Sequence, residues 1–156
     1  MGKVISCGIV VLNERRELFM CHATGTARWD LPKGLAEPDE TAMQTAVREA
    51  REETGLAFDP ATLQDLGLHD YLPAKRLHLY AVRVASSAFS IAECRCSSTF
   101  PDRITGAPTL EVDAYAWKPL DRLDDWSGQN MRRVLRALDW DRIERLPEVT
   151  AVALAR

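Results

Sequence analysis

The sequence has no excess of positive charge, no paired cysteine motif and no apolar run of membrane length. Its net charge of −3 argues against broad electrostatic binding to nucleic acid or to an anionic membrane. The four cysteines show no C-x-x-C spacing, which argues against a zinc site. Because the first residues show no signal-peptide pattern, we expect a cytoplasmic protein that binds neither membranes nor, stably, nucleic acids.

What the sequence does contain is the composition of an ordinary globular protein, with 46% hydrophobic and 28% charged residues. A chain of 156 residues is long enough for one hydrophobic core. No internal repeat, low-complexity segment or linker interrupts it. We therefore expect a single domain over residues 1–156.

Runs of apolar and β-branched residues predict strands before and after one central helix. The predicted strands cover residues 4–12, 17–23, 63–72, 76–85 and 110–117, and the first two are predicted to form a hairpin. Residues 93–108 include two prolines and are predicted to form a long irregular loop. Ser127 is predicted to cap a last helix that runs to about Leu138. This order of elements predicts an α/β (α+β) protein.

The stretch that organises the chain covers residues 34–56. It is predicted to contain the central helix, with Asp39 as the N-cap and Gly55 as the end of the helix. At roughly 100° per residue, three carboxylates fall on one narrow arc beside the apolar stripe. These carboxylates belong to Glu49, Glu52 and Glu53.

Like charges at this spacing repel each other, so a compensating charge is expected. Clustered carboxylates suit a hard divalent cation such as Mg²⁺ or Mn²⁺, which prefers oxygen ligands and often shares them with phosphates. The alternative is a solvated acidic face of the helix.

The spacing of the stretch resembles the signature of the Nudix hydrolases. In that signature a glycine is followed by a glutamate, an Arg-Glu pair, a Glu-Glu pair and a second glycine at fixed intervals. The matching residues are Gly34, Glu40, Arg48, Glu49, Glu52, Glu53 and Gly55. The resemblance implies a mixed β-sheet sandwiched between helices. It also implies that water attacks a phosphorus atom of a nucleoside diphosphate linked to another moiety, with Mg²⁺ or Mn²⁺ as cofactor.

The resemblance also implies roles for individual residues. Glu49, Glu52 and Glu53 are expected to be metal ligands and catalytic residues, with a main-chain carbonyl near Gly34 as a further ligand. Arg48 is expected to orient the carboxylates, with direct contact to phosphate as the alternative.

A further carboxylate from outside the signature is expected to join the metal site. Glu111, in the last predicted strand, is the first choice because many family members use an acidic residue on a late strand or loop. Asp113, on the same predicted face, and Glu93, in the long loop, are the other candidates. The alternative for Glu111 is an exposed strand position.

Five residues are candidates for substrate binding: Trp29, Lys33, Lys75, Arg76 and His78. Trp29 is a candidate for stacking on a base, with a packing aromatic as the alternative. The lysines, Arg76 and His78 are candidates for contacts with an anionic chain. Their alternatives are a surface lysine and a structural histidine.

The segment Trp-x-x-Pro-Lys-Gly at residues 29–34 resembles the same segment of the diadenosine tetraphosphate and diphosphoinositol polyphosphate hydrolases. A dinucleoside polyphosphate is therefore the first expectation for the substrate, as a small-molecule partner. Nucleoside triphosphate sanitation and pyrophosphate removal from RNA 5′ ends are the alternatives within the family. A nucleotide-sensing module without turnover is the alternative from another class.

Overall fold

The computed structural model describes residues 2–155, which form twelve strands and four α-helices. The strands are β1 Val4–Asn13, β2 Glu17–Ala23, β3 Trp29–Asp30, β4 Lys33–Leu35, β5 Leu56–Ala57, β6 Gln64–Leu72, β7 Lys75–Val84, β8 Thr99–Pro101, β9 Pro108–Leu110, β10 Val112–Pro119, β11 Glu148–Val149 and β12 Ala153–Leu154. The helices are α1 Ala42–Thr54, α2 Leu123–Trp126, α3 Gln129–Arg136 and α4 Trp140–Glu144.

One mixed sheet forms the centre of the fold. Its strands follow the order β10-β2-β1-β7-β11, with β3 beside β2, β4 beside β1 and β6 beside β7. Strands β1 and β7 run parallel, whereas β1 pairs antiparallel with β2 and with β4. The apolar run of β1 is long because this strand is buried in the middle of the sheet.

Helices cover both faces of this sheet, as the α+β prediction requires. On one face Ala46 and Ala50 of α1 pack in a core cluster with Ile9 of β1. On the other face Met131 and Leu135 of α3 belong to a second core cluster. Side chains alternate along β1 and β7, so each strand contributes to both clusters. The predicted mixed sheet between helices is confirmed. None of the helices within residues 2–155 is both long and apolar enough to cross a membrane.

The start of α1 differs from the prediction. Thr41, not Asp39, is the N-cap, and its hydroxyl accepts from the amide of Gln44 while the Gln44 side chain accepts from the amide of Thr41. Asp39 has φ 68° and belongs to the turn before the helix. The predicted end is confirmed, because Gly55 is the C-cap with φ 78°.

The last predicted helix also starts later and ends earlier. Ser127 does not cap it, because the Ser127 hydroxyl donates to the carbonyl of Leu123, the first residue of α2. Gly128 is the N-cap of α3, and the helix ends at Arg136. The predicted apolar stripe of this helix is nevertheless buried, down to Leu138.

Residues 93–108 are less irregular than predicted. They contain β8, which pairs with β9 to form a small hairpin in which Pro101 lies opposite Pro108. Prolines are usually depleted from strands, and their presence concealed this pairing in the sequence. Glu111 was predicted to lie within a strand, but it lies at the bend between β9 and β10. Its carbonyl accepts from the amide of Thr24, and its amide donates to the carbonyl of Ser98.

Candidate active site

Arg48 is the centre of the hydrogen-bond network along α1. Its Nε donates to Glu40 (2.7 Å), and its Nη1 donates to Glu49 (2.9 Å) and Glu52 (3.2 Å). Its Nη2 donates to the carbonyl of Leu35 (2.9 Å), so the helix is tied to the preceding loop. Hydrogen bonding from Arg48 is the main cause that lowers the pKa of Glu40 to about 2. In this structure Arg48 therefore orients three carboxylates and is neutralised by them.

Gly34 lies directly against the carboxylate of Glu49. A Cβ atom on Gly34 would lie 2.0 Å from Cδ of Glu49 and 2.1 and 2.4 Å from its two oxygens. A Cβ atom at this position would therefore displace the Glu49 carboxylate, and glycine allows that carboxylate to stay where it is. Glu49 is itself buried, and its burial raises its pKa while Arg48 lowers it.

Glu53 is the most strongly perturbed carboxylate of the site. Burial raises its pKa to about 8, although the amide and the ammonium group of Lys33 lower it, and Glu49 and Glu111 raise it further. The amide of Lys33 donates to Oε1 of Glu53 (2.8 Å). The side chains of Glu53, Glu111, Lys33 and Asp30 line a small cavity of about 130 Å³. The structure therefore brings Glu111 to the signature helix despite their separation in sequence.

Glu49, Glu52, Glu53 and Glu111 are called the carboxylate cluster below. Within residues 2–155, no three acidic, histidine or cysteine side chains converge closely enough to form a ready-made cation site. Arg48 lies between Glu49 and Glu52 instead, and the Lys33 amide holds Glu53.

The cluster nevertheless fits a hard divalent cation. The atoms that the cluster offers to a cation are all carboxylate oxygens. Because Gly34 has no side chain, the main chain at this residue lies in contact with the Glu49 carboxylate. Glu52 and Glu111 raise the pKa of Glu49, and Glu49 and Glu111 raise the pKa of Glu53, an electrostatic cost that a cation would relieve.

The two other acidic candidates lie elsewhere. The carboxylate of Asp113 contacts Nδ1 of His22 at 2.5 Å, because the sheet register shifts between Val112 and Ala114. Glu93 lines a separate groove with Trp117. Of the three candidates named from the sequence, Glu111 is the one placed beside Glu53.

The structure divides the predicted basic residues between the two faces of β7. Arg76 lies 3.4 Å from Asp70, and His78 lies 2.9 Å from Asp65. Both therefore have protein carboxylates as partners. Lys75 lies on the opposite face by strand alternation.

Lys75 belongs to a group of cations at the edge of the cavity. Burial lowers its pKa, Lys33 and Arg28 lower it further, and Asp30 acts in the opposite direction. The ammonium group of Lys33 lies 5.9 Å from the ring centre of Tyr71. Lys33, Lys75 and Arg28 are called the cation group below. Within the described part of the chain, none of the three forms an ion pair with a carboxylate.

Trp29 is packed within the protein. It packs against the core cluster of α3, the ring of His22 lies 5.0 Å from it edge-on, and the ammonium group of Lys118 lies 4.2 Å above it. These contacts account for a tryptophan at this position without a substrate. Its stacking on a base stays a prediction.

Reasoning from the sequence missed Arg28 and Asp30. Both flank Trp29 in the segment that leads into the signature, and that proximity was the signal available. Their relevance depends on the fold, which places Asp30 beside Glu53 and Arg28 near Lys75.

Comparison with known proteins agrees with this geometry. The profile of the NUDIX domain matches residues 2–138. The chain therefore belongs to the NUDIX family and is a Nudix-type pyrophosphohydrolase. Enzymes of this family generally use divalent cations, typically Mg²⁺.

Relatives extend over most of the chain. It is 34% identical to an uncharacterized 17.7 kDa protein from the e-segB intergenic region of Enterobacteria phage T4, over 87% of this chain and 95% of that protein. It is 29% identical to an RNA pyrophosphohydrolase of Marinomonas sp., over 84% of this chain and 87% of the relative. Among solved structures, a MutT NUDIX hydrolase from Burkholderia pseudomallei has a TM-score of 0.63 at 22% identity, covering 87% and 98% of the two chains. This last likeness shows the fold.

Proposed function

We propose that the chain hydrolyses a pyrophosphate bond in a dinucleoside polyphosphate, with Mg²⁺ or Mn²⁺ held by the carboxylate cluster and the main chain at Gly34. The observation that carries the choice of substrate is the cation group beside the cluster. Lys33 and Arg28 both lower the pKa of Lys75, so the three cations lie near one another, and Asp30 acts in the opposite direction. Within the described residues none of the three cations forms an ion pair with a carboxylate. A long anionic chain that leaves the cluster would meet these cations next.

The reaction is attack of water on one phosphorus atom, whose bond to the bridging oxygen breaks. The water oxygen stays on that phosphorus, the bridging oxygen leaves with the other phosphate, and the phosphates of the chain are divided between the two products. A bound divalent cation supplies neutralisation of phosphate oxygens and a lower pKa for bound water. Glu53 and Glu111 both line the small cavity and are the two candidates for accepting the proton of the attacking water. Arg48 keeps Glu49 and Glu52 in position.

Hydrolysis of the triphosphate at an RNA 5′ end is the second candidate. It is favoured by the similarity to an RNA pyrophosphohydrolase over most of both chains. The same cations would contact the 5′-terminal phosphates. The net charge of −3 argues against broad electrostatic binding of a long RNA strand, which favours the small substrate.

The test is a Mg²⁺-dependent hydrolysis panel compared by kcat/KM with identified products. It contains diadenosine tetraphosphate, a 5′-triphosphorylated RNA, an oxidised deoxynucleoside triphosphate and a nucleotide sugar. The proposal predicts the highest kcat/KM for diadenosine tetraphosphate. A strong preference for the oxidised triphosphate, with dinucleoside polyphosphates barely cleaved, would overturn the substrate and leave the metal site intact.

A further inference from the structure

A second, larger groove adjoins the carboxylate cluster. It lies between the β2–β3 turn and the β8–β9 hairpin and has a volume of about 720 Å³. Glu111 lines both this groove and the small cavity that contains Glu53. Ala23 also lines both, so the groove is continuous with the candidate site through these two residues.

Four charged residues line the groove: Arg28 and Arg103, and the acidic residues Asp102 and Glu111. The two arginines line it from opposite sides, one on the β2–β3 turn and the other on the hairpin. Within residues 2–155 neither arginine forms an ion pair with a carboxylate. Two unpaired guanidinium groups facing one groove favour an anionic ligand.

The hairpin also presents apolar surface to this groove. Phe100 of β8 lines it half-buried, and Ile104 lines it with 94% of its surface exposed. The carboxylate of Asp102 accepts from the amides of Ile104 and Thr105 at 2.9 Å each, which fixes the turn that carries Ile104. An aromatic ring beside an exposed aliphatic side chain is a surface on which a flat base can stack.

One polar group in the groove lacks a partner. The hydroxyl oxygen of Thr24 is buried and has no hydrogen-bond partner among the described residues. Because this oxygen is covered by protein atoms, a ligand in the groove would contact it only if the β2–β3 turn moved.

We propose that this groove binds one nucleoside of the substrate, with the base against Phe100 and Ile104 and the adjoining phosphates between Arg28 and Arg103. The polyphosphate then passes Glu111 into the carboxylate cluster. This inference rests on the proposed function, because it takes the substrate to be a nucleoside polyphosphate, and it assigns the β8–β9 hairpin as the element that selects the nucleoside.

The test measures kcat and KM for diadenosine tetraphosphate, and Kd for its non-hydrolysable methylene analogue, in four variants. Phe100→Leu is expected to raise KM and Kd about tenfold, the effect of losing one stacked base. Arg103→Gln is expected to raise both about threefold to fivefold. Phe100→Tyr keeps the ring and is expected to raise KM and Kd less than Phe100→Leu does. Arg122→Gln, whose side chain is 69% exposed and paired with Asp125, is the matched control for Arg103.

A base-free probe separates stacking from damage to the hairpin. Inhibition by inorganic tetraphosphate is expected to weaken in Arg103→Gln and to stay unchanged in Phe100→Leu. Unchanged KM and Kd in both Phe100→Leu and Arg103→Gln would overturn the proposal. It would also be overturned if Phe100→Leu weakened inhibition by inorganic tetraphosphate as much as it weakened binding of the methylene analogue. If the hydrolysis panel selects another substrate, the same variants are measured with that substrate. The proposed function then fails on the panel, whereas the groove is judged separately on KM and Kd.

Discussion

Two arginines beside the carboxylate cluster are held in opposite ways. The guanidinium group of Arg48 donates to carboxylates of Glu40, Glu49 and Glu52, which neutralise it. The guanidinium group of Arg28 faces an open groove, and within residues 2–155 it forms no ion pair with a carboxylate. One arginine serves the structure of the site, and the other is available to a ligand.

The same difference separates the two regions in which these arginines lie. The signature region is acidic, partly buried and connected internally, down to the contact between Gly34 and Glu49. The region of Lys33, Lys75 and Arg28 is basic and is not neutralised by the protein. A site with excess negative charge on one side and excess positive charge on the other is complementary to a cation bound together with a polyanion.

Removing a carboxylate from the acidic region is expected to cause the largest loss of turnover. We expect Glu52→Gln and Glu53→Gln each to lower kcat on the order of a hundredfold or more, because each removes a proposed metal ligand. The fold is expected to persist, and circular dichroism and urea denaturation will check this. Glu93→Gln, in a separate groove, is the matched control. Near-normal turnover of both variants at saturating Mg²⁺ would end the assignment.

A smaller effect on turnover is expected from Gly34→Ala. The added Cβ overlaps the Glu49 carboxylate, which can move because it is the end of a side chain. We therefore expect kcat and Mn²⁺ affinity to fall about 10- to 100-fold with little change in unfolding free energy. Gly128→Ala is the control, since no atom lies within 4 Å of its added Cβ. If the unfolding free energy falls and Mn²⁺ affinity does not, Gly34 is a packing residue alone.

Arg48 tests whether the acidic region is organised by its internal cation. We expect Arg48→Gln to lower the unfolding free energy by about 1–3 kcal/mol, since several carboxylate hydrogen bonds are lost at once. Arg48→Lys keeps the charge but not the planar geometry. Its unfolding free energy is expected to lie between those of Arg48→Gln and the wild type. Urea denaturation measures the first effect, and Mn²⁺ titration measures the loss of carboxylate orientation. Equal stability of all three proteins would contradict the orienting role.

The smallest expected effect is a change in KM that distinguishes a cation with a carboxylate partner, Arg76, from one without, Lys75. Lys75→Gln is expected to raise KM for diadenosine tetraphosphate about threefold to fivefold. Arg76→Gln is expected to leave KM unchanged because Arg76 already lies beside Asp70. These neighbours differ in the face of β7 on which they lie, so they form a matched pair. A larger effect from Arg76→Gln than from Lys75→Gln would reverse the assignment of the faces.

The sequence predicted the acidic region well because that region is local. Glu49, Glu52 and Glu53 lie within two turns of one helix, and Gly34 follows from the same signature. The N-cap was predicted wrongly as Asp39, although Thr41 and Gln44 have the Thr-x-x-Gln spacing of the capping box that the structure contains.

The basic region could not be predicted in the same way because the fold assembles it. Thr24 meets Glu111 through a single backbone hydrogen bond between distant segments, and the hairpin opposite contains prolines that conceal its strands. Lys75 and Arg76 are adjacent in sequence, and only the pairing of β7 within the sheet shows that their environments differ.

The most direct test is a crystal structure with Mn²⁺ and the methylene analogue of diadenosine tetraphosphate. Anomalous scattering would locate the Mn²⁺ ion. The account predicts Mn²⁺ bound by Glu49, Glu52, Glu53 and the main chain at Gly34, with Glu111 beside it. It predicts phosphates in contact with Lys33 and Lys75, and Arg48 still bonded to its carboxylates. Manganese bound away from the carboxylate cluster, or phosphate bound directly by Arg48, would contradict it.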